Sequence, residues 1–159
     1  MQQMEVSKWL KSITILTGVA GLIFFFVVLP LMARDVAETY PGVAYLMWPG
    51  LIYGWVIGAI CYMILYQFWK VCVEIGRDNS FSAENAESFR VISRLAVLLS
   101  CAWFIGVVFL AIVRALDPAL AIIMILFAFI CTIVAVLSAA LSHLIYKSYE
   151  MRQENDLTI

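Results

Sequence analysis

Carboxylates, lysines and arginines are missing from the centre of every long apolar run in this chain. Ionisable groups at membrane depth are costly and persist there mainly for function, so their absence argues against a proton or ion pathway built from side-chain charge. A Gly-rich phosphate loop, a nucleophile elbow and a carboxylate pair at membrane depth are absent too. The four cysteines, Cys61, Cys72, Cys101 and Cys131, lack Cys-x-x-Cys spacing. They read as small apolar packing residues, with Cys72 the one expected to be reachable from a reducing cytoplasm. The single histidine, His143, has no His-x-x-x-His or carboxylate pattern beside it. A metal site needs several ligands, so an interfacial, hydrogen-bonded histidine is the expectation. No residue is assigned a catalytic, cofactor-binding or metal-binding role, and the chain is read as a non-enzyme.

What the sequence has in excess is apolar surface. Of its 159 residues 65% are hydrophobic and 13% charged, and the mean hydropathy is +1.00, far from the balance of a soluble domain. Four runs, about 12–32, 45–69, 91–113 and 119–145, each reach the roughly 20 residues a helix needs to cross about 30 Å of hydrocarbon. None alternates in polarity as a barrel strand would. The expected fold is an all-α integral membrane protein: one domain of four transmembrane helices in an up-down-up-down bundle. The first run, preceded by Lys8 and Lys11, is too long for a signal-peptide core and lacks a good cleavage site, so it is read as a retained helix.

Lysine and arginine set the orientation. One side holds Lys8, Lys11, Lys70, Arg77, Arg90, Arg94, Lys147 and Arg152; the other holds Arg34 and Arg114. The positive-inside rule places both termini in the cytoplasm. On the outer side, Arg34, Asp35, Glu38, Arg114 and Asp117 are expected to form a solvated rim, with ion pairs between loops.

Gly50, Gly54 and Gly58 recur every fourth residue and share one helix face. Lipid gives helices no hydrophobic reason to associate, so close packing over small residues takes that role. Ala128, Thr132, Ala135 and Ala139 of the fourth helix offer a partner strip inside one bundle. A homo-oligomer face is the competing reading.

The longest polar interval, "VCVEIGRDNSFSAENAESFRVISR", links the second and third runs. Helix two meets no breaker before Gly76, a natural C-terminal cap, and therefore extends roughly 46 Å from Tyr45. Ser82 is placed to cap the next helix, with Glu84 favourable near its positive end. A cytoplasmic helical hairpin over about 70–94 follows, its charges Lys70, Arg77, Arg90 and Arg94 balanced by Glu74, Asp78, Glu84 and Glu87. Without a basic excess it is no direct nucleic-acid binder. Arg77, Phe81, Ser82, Glu84, Asn85, Phe89 and Arg90 are the candidate docking residues for a protein partner, since buried aromatics dominate interface energy. The competing local reading has Phe81 stapling the helix start and Phe89 packing on helix two.

At Phe81, Ser82, Glu84 and Asn85 the chain resembles a bacterial family of small four-helix membrane proteins, domain of unknown function 2975. Their third span opens with a Phe-Ser/Thr-x-Glu-Asn motif; Ser80 stands where proline is frequent in the family. Members are often encoded beside a small helix-turn-helix DNA-binding protein, which implies a soluble transcriptional regulator as partner. The leading expectation is a protein of the bacterial inner membrane whose hairpin, with the tail Tyr149 to Ile159, docks and regulates such a partner. The alternative is a small transporter or binder of lipid or hydrophobic ligands, with a cavity lined by Trp55, Tyr62, Tyr66 and Trp103.

Overall fold

A computed structural model describes residues 2–77 and 79–156. Its elements in order are α1 (Gln2–Ile23), a π-helical turn (Phe24–Val28), α2 (Leu29–Thr39), a 3-10 turn (Pro41–Leu46), α3 (Met47–Gly76), α4 (Ala83–Ile112) and α5 (Pro118–Asp156). No strand occurs among the described residues. Four continuous helical stretches, Met4–Thr39, Pro41–Gly76, Ala83–Ile112 and Pro118–Glu154, are long and apolar enough to span a membrane. They alternate in direction and pack in chain order: α1 on α3, α3 on α4, α4 on α5. The described ends, Gln2 and Asp156, therefore lie on the same side as the α3–α4 connection, here called the terminal side.

The first stretch continues well past Pro30, which the sequence placed near its end. Proline lacks a backbone donor and crowds the preceding turn. The widened π turn, in which the Leu29 N–H reaches back to Phe24 O, absorbs that crowding. The Phe25 carbonyl, in the turn that Pro30 deprives of a donor, accepts from Trp55 Nε1 of α3 at 3.1 Å. A neighbouring helix thus repairs the gap left by a proline in lipid.

The glycine face of α3 meets this first stretch, and the strip on the last helix packs elsewhere. A Cβ at Gly54 would fall 2.5 Å from Leu29 Cδ2, and one at Gly58 3.0 Å from Phe25 Cδ1, whereas Gly50 faces open space. Small-residue spacing marks a close approach without naming its partner. Leu29 and Phe25, large side chains reaching over bare backbone, fill the space.

The strip on α5 closes onto α4 through hydrogen-bonded rungs. Ser142 Oγ donates to Ala86 O at 2.6 Å, Ser93 Oγ to Ala135 O at 2.8 Å and Ser100 Oγ to Ala128 O at 3.0 Å. Every rung pairs one serine with one alanine, and the residue numbers of each pair add to the same value. Rungs recur at seven residues on both helices, the repeat that keeps an antiparallel seam facing its partner. Small side chains let the backbones approach within reach of a serine hydroxyl. Ala86, Ala128 and Ala135 are buried on this seam.

At the far end α4 closes in a Schellman motif, with Ala115 N–H to Leu110 O and Arg114 N–H to Ala111 O. Arg114 takes the left-handed position there (φ 55°). Asp117 Oδ1 then accepts from Ala119 N and Leu120 N, capping α5 ahead of Pro118. The expected rim differs accordingly: Asp117 serves as a cap, and Arg34 pairs with Glu38 on its own helix at 4.0 Å.

Filling the seam is expected to cost far more than unhooking it. Ala135→Leu should lower stability by roughly 1–3 kcal/mol through overpacking, and Ser93→Ala by only about 0.6 kcal/mol, the mean for an interhelical hydrogen bond in lipid. Thermal unfolding of both variants in one detergent checks the order; an equal loss would contradict a seam set by close approach.

Candidate functional site

The α3–α4 hairpin is built by its own side chains. Helix α3 ends at Gly76 with Arg77 as its cap residue. Gly76 does not use a left-handed conformation to stop the helix, as a glycine cap commonly does. What requires glycine there is proximity: an added Cβ would sit 2.6 Å from Ser7 Oγ of α1. That same hydroxyl donates to Cys72 O at 2.7 Å. The loop then folds around Glu74, whose carboxylate accepts from Arg77 Nη1 and Asn79 Nδ2, each at 3.0 Å, and whose carbonyl accepts from Asn79 N.

Ser82 caps α4, accepting from Asn85 N at 3.1 Å. Asn85 faces the other way with its side chain, donating to Ser80 O at 2.9 Å and Asn79 O at 3.4 Å. Both residues are buried, Asn85 to 2% exposure. Of the proposed docking residues, Ser82 and Asn85 therefore shape the loop and present nothing to solvent. Phe81 stands 48% exposed beside them. Glu84 is exposed and has no ion pair among the described residues, and Phe89 is half-buried. Arg90 is exposed and pairs with Glu87 at 3.0 Å. Asp78, counted among the hairpin charges, lies outside the described residues.

A cleft of about 670 Å³ lies between the two helices. Its walls are Tyr66, Trp69, Lys70 and Val73 of α3 facing Glu84, Glu87, Ser88 and Val91 of α4. Each wall follows the same i, i+3, i+4, i+7 spacing, a sign of one shared helix face that was present in the sequence. Lys70 Nζ lies 5.0 Å from the Tyr66 ring centre. Of its carboxylates, Glu74 is paired with Arg77 and Glu87 with Arg90, which leaves Glu84 as the cleft carboxylate without an ion pair among the described residues.

Other expectations fall differently. Cys72 is fully buried, its sulfur 3.9 Å from Thr14 Oγ1, and Cys101 is the exposed cysteine. Helix α1 crosses the end of α3 and covers Cys72, which its nearness to the polar loop did not reveal. The four aromatics proposed to share a cavity are engaged separately. Trp55 serves the Phe25 carbonyl, Tyr62 Oη donates to Gly18 O at 2.5 Å, Tyr66 lines the hairpin cleft, and Trp103 stacks on Phe127 at 5.2 Å. The tail at 147–159 continues helix α5 through Asp156, and residues 157–159 lie outside the described residues. Among the described residues no three His, Cys, Asp or Glu side chains gather where a metal ion could be held.

The family described as protein of unknown function (DUF2975) matches residues 31–159. The chain belongs to the DUF2975 family. A Bacillus subtilis (strain 168) relative, described as uncharacterized membrane protein YoaS, is 28% identical over 153 residues, covering 95% of this chain and 96% of its own length. No solved structure matches. The matched region holds the hairpin and the α4–α5 seam, so both belong to the part of the chain that this DUF2975 protein shares with its family.

Removing the Asn85 amide should open the loop without unfolding the bundle. Asn85→Ala strands two loop carbonyls, a loss of roughly 1–3 kcal/mol where they are buried, and Ser82→Ala removes a cap worth about 1 kcal/mol. Limited proteolysis in membranes should cut the hairpin of Asn85→Ala faster than that of the wild type; unchanged cleavage would count against the loop-holding role. Maleimide labelling offers a second check, since Cys72 should react only after denaturation.

Proposed function

We propose that this membrane protein is a non-enzymatic docking module that holds a soluble partner against the terminal side of the bundle. The observation that carries this reading is the hairpin itself. Its loop is braced by Glu74, Ser82 and Asn85, so the half-exposed Phe81 and Glu84, which has no ion pair among the described residues, stand at fixed positions at the hairpin tip. Pre-set anchors lower the ordering cost of binding. An aromatic anchor next to carboxylates suits an amphipathic partner segment with an apolar residue and a basic one.

The family resemblance implies a small helix-turn-helix regulator as that partner. A DNA-reading surface is basic, so a docking surface that offers the Glu84 carboxylate suits it and would compete with DNA for it. This reading places the terminal side, with its excess of lysine and arginine, in the cytoplasm of a bacterial inner membrane.

Photo-crosslinking probes at Phe81 and Phe89 in native membranes are the direct test. Probe 81 should capture one soluble DNA-binding protein, probe 89 should capture it more weakly, and Glu84→Lys should abolish capture. Capture of lipid alone from both positions would overturn the docking role. Replacing residues 77–82 by a Gly-Ser linker should likewise change expression of that regulator's target genes, and a normal response would sink the regulatory version.

A second reading rests on a cleft of about 390 Å³ on the far side of the bundle, lined by Pro49, Gly50, Tyr53, Gly106, Phe109 and Met124 and almost wholly apolar. It suits an uncharged hydrophobic ligand. Gly50→Leu fills it, so a compound that raises Tm in the wild type should lose that effect in the variant.

A further inference from the structure

A second cleft, of about 350 Å³, opens on the terminal side between α4 and α5. Arg90, Ser93 and Arg94 form one wall, and Ala139, Ser142, His143 and Tyr146 the other. The two serines are spent as donors, Ser93 on Ala135 O and Ser142 on Ala86 O, so they make a floor tied into the seam. Donors left to face the cleft are two guanidiniums, an imidazole and a phenol. Among the described residues Glu87 is the carboxylate engaged with this group, through Arg90 Nη1 at 3.0 Å, and it leaves most of that guanidinium's N–H groups for other acceptors. Arg94 has no ion pair among the described residues.

Depth identifies what such a cleft meets. From Arg94 to Arg114, the charged residues that bound the apolar stretch of α4, is a rise of roughly 30 Å, the thickness of the hydrocarbon layer. Between them α4 exposes Val97, Leu98, Phe104, Ile105 and Val108. On α5 the exposed apolar residues Leu137, Leu141 and Leu144 run up to Tyr146, an aromatic suited to the interface. The cleft therefore lies where the hydrocarbon ends and head groups begin. Paired arginines with no neutralising carboxylate inside the cleft suit a phosphate, which a guanidinium can bind through two parallel hydrogen bonds.

We propose that this cleft is a binding site for the phosphate of an anionic phospholipid, held by Arg94 and Arg90 with His143 and Tyr146 closing over it. The acyl chains then run down the exposed apolar faces of α4 and α5. The site opens on the α5 side of α4, shares Arg90 with the hairpin, and stands whether or not a soluble partner docks at Phe81.

Native mass spectrometry of the full chain in phosphatidylcholine micelles, titrated with phosphatidylglycerol, tests it. The wild type should retain one phosphatidylglycerol at least tenfold more tightly than phosphatidylcholine. Arg94→Gln should weaken that first lipid about fivefold, near the contribution of one basic residue at an anionic surface, and Arg94→Lys should recover part of the loss. Lys8→Gln, the same change of charge on the first helix, should leave it unchanged. Equal losses in Arg94→Gln and Lys8→Gln would mean diffuse surface attraction and overturn the site. Inorganic phosphate in the micelles should neither raise Tm nor displace the lipid; if it does both, the site belongs to a free phosphate ion and the lipid assignment fails.

Discussion

The Ser–Ala seam between α4 and α5 is the constraint on which the rest of the molecule depends. In lipid, two apolar helices have no hydrophobic reason to choose one register over another, because the solvent is as apolar as their side chains. Hydroxyl-to-carbonyl rungs at seven-residue intervals supply a reason, since a slip along the seam would break all three at once. Thr132 adds to the rung at Ser100, hydrogen-bonding that hydroxyl at 2.9 Å. With that register set, Arg90 and Arg94 stand across from His143 and Tyr146, and α4 offers its remaining face to α3.

The hairpin depends on a different economy. A polar loop leaving a helix must satisfy carbonyls that no longer have helical partners. Here Asn85, one turn into α4, reaches back to Ser80 and Asn79, and Ser82 closes the helix end by accepting from the Asn85 backbone. The family motif thus divides by task. Ser82 and Asn85 hold the loop, while Phe81 and Glu84 remain outward. A motif that reads as a recognition signal is half a folding device.

How much of this was legible follows from the kind of signal each feature leaves. Four apolar runs and three polar connections were enough for the helices and their alternation. Ser82 as a cap and Glu87–Arg90 as an i, i+3 pair were local, and local rules reach them. Which helix meets which is a long-range matter. The glycines of α3 and the alanines of α5 look complementary, yet each packs on a different neighbour, because small-residue spacing reports closeness without a partner's name. The matching sevenfold spacing of Ala86, Ser93 and Ser100 with Ala128, Ala135 and Ser142 was the missing signal, visible only when both helices are read together. Burial of Cys72 likewise depends on α1 crossing there, which no feature near Cys72 announces.

Helix α4 turns opposite charges to its two sides on successive turns. Glu84 and Glu87 face α3 across the hairpin cleft, and Arg90 and Arg94 face α5 across the basic one. The Glu87–Arg90 ion pair is the bridge between them. Exposed pairs of this kind contribute only about 0–1 kcal/mol, so a phosphate in the basic cleft competes for Arg90 on nearly even terms. Whatever draws Arg90 toward α5 leaves Glu87 a more exposed negative charge on the hairpin side. A basic segment docked beside Phe81 would then gain a better partner, and by reciprocity of linked equilibria its binding would strengthen the hold on phosphate by the same factor. Two proposed sites on one helix, joined through one shared arginine, need no large movement to sense each other.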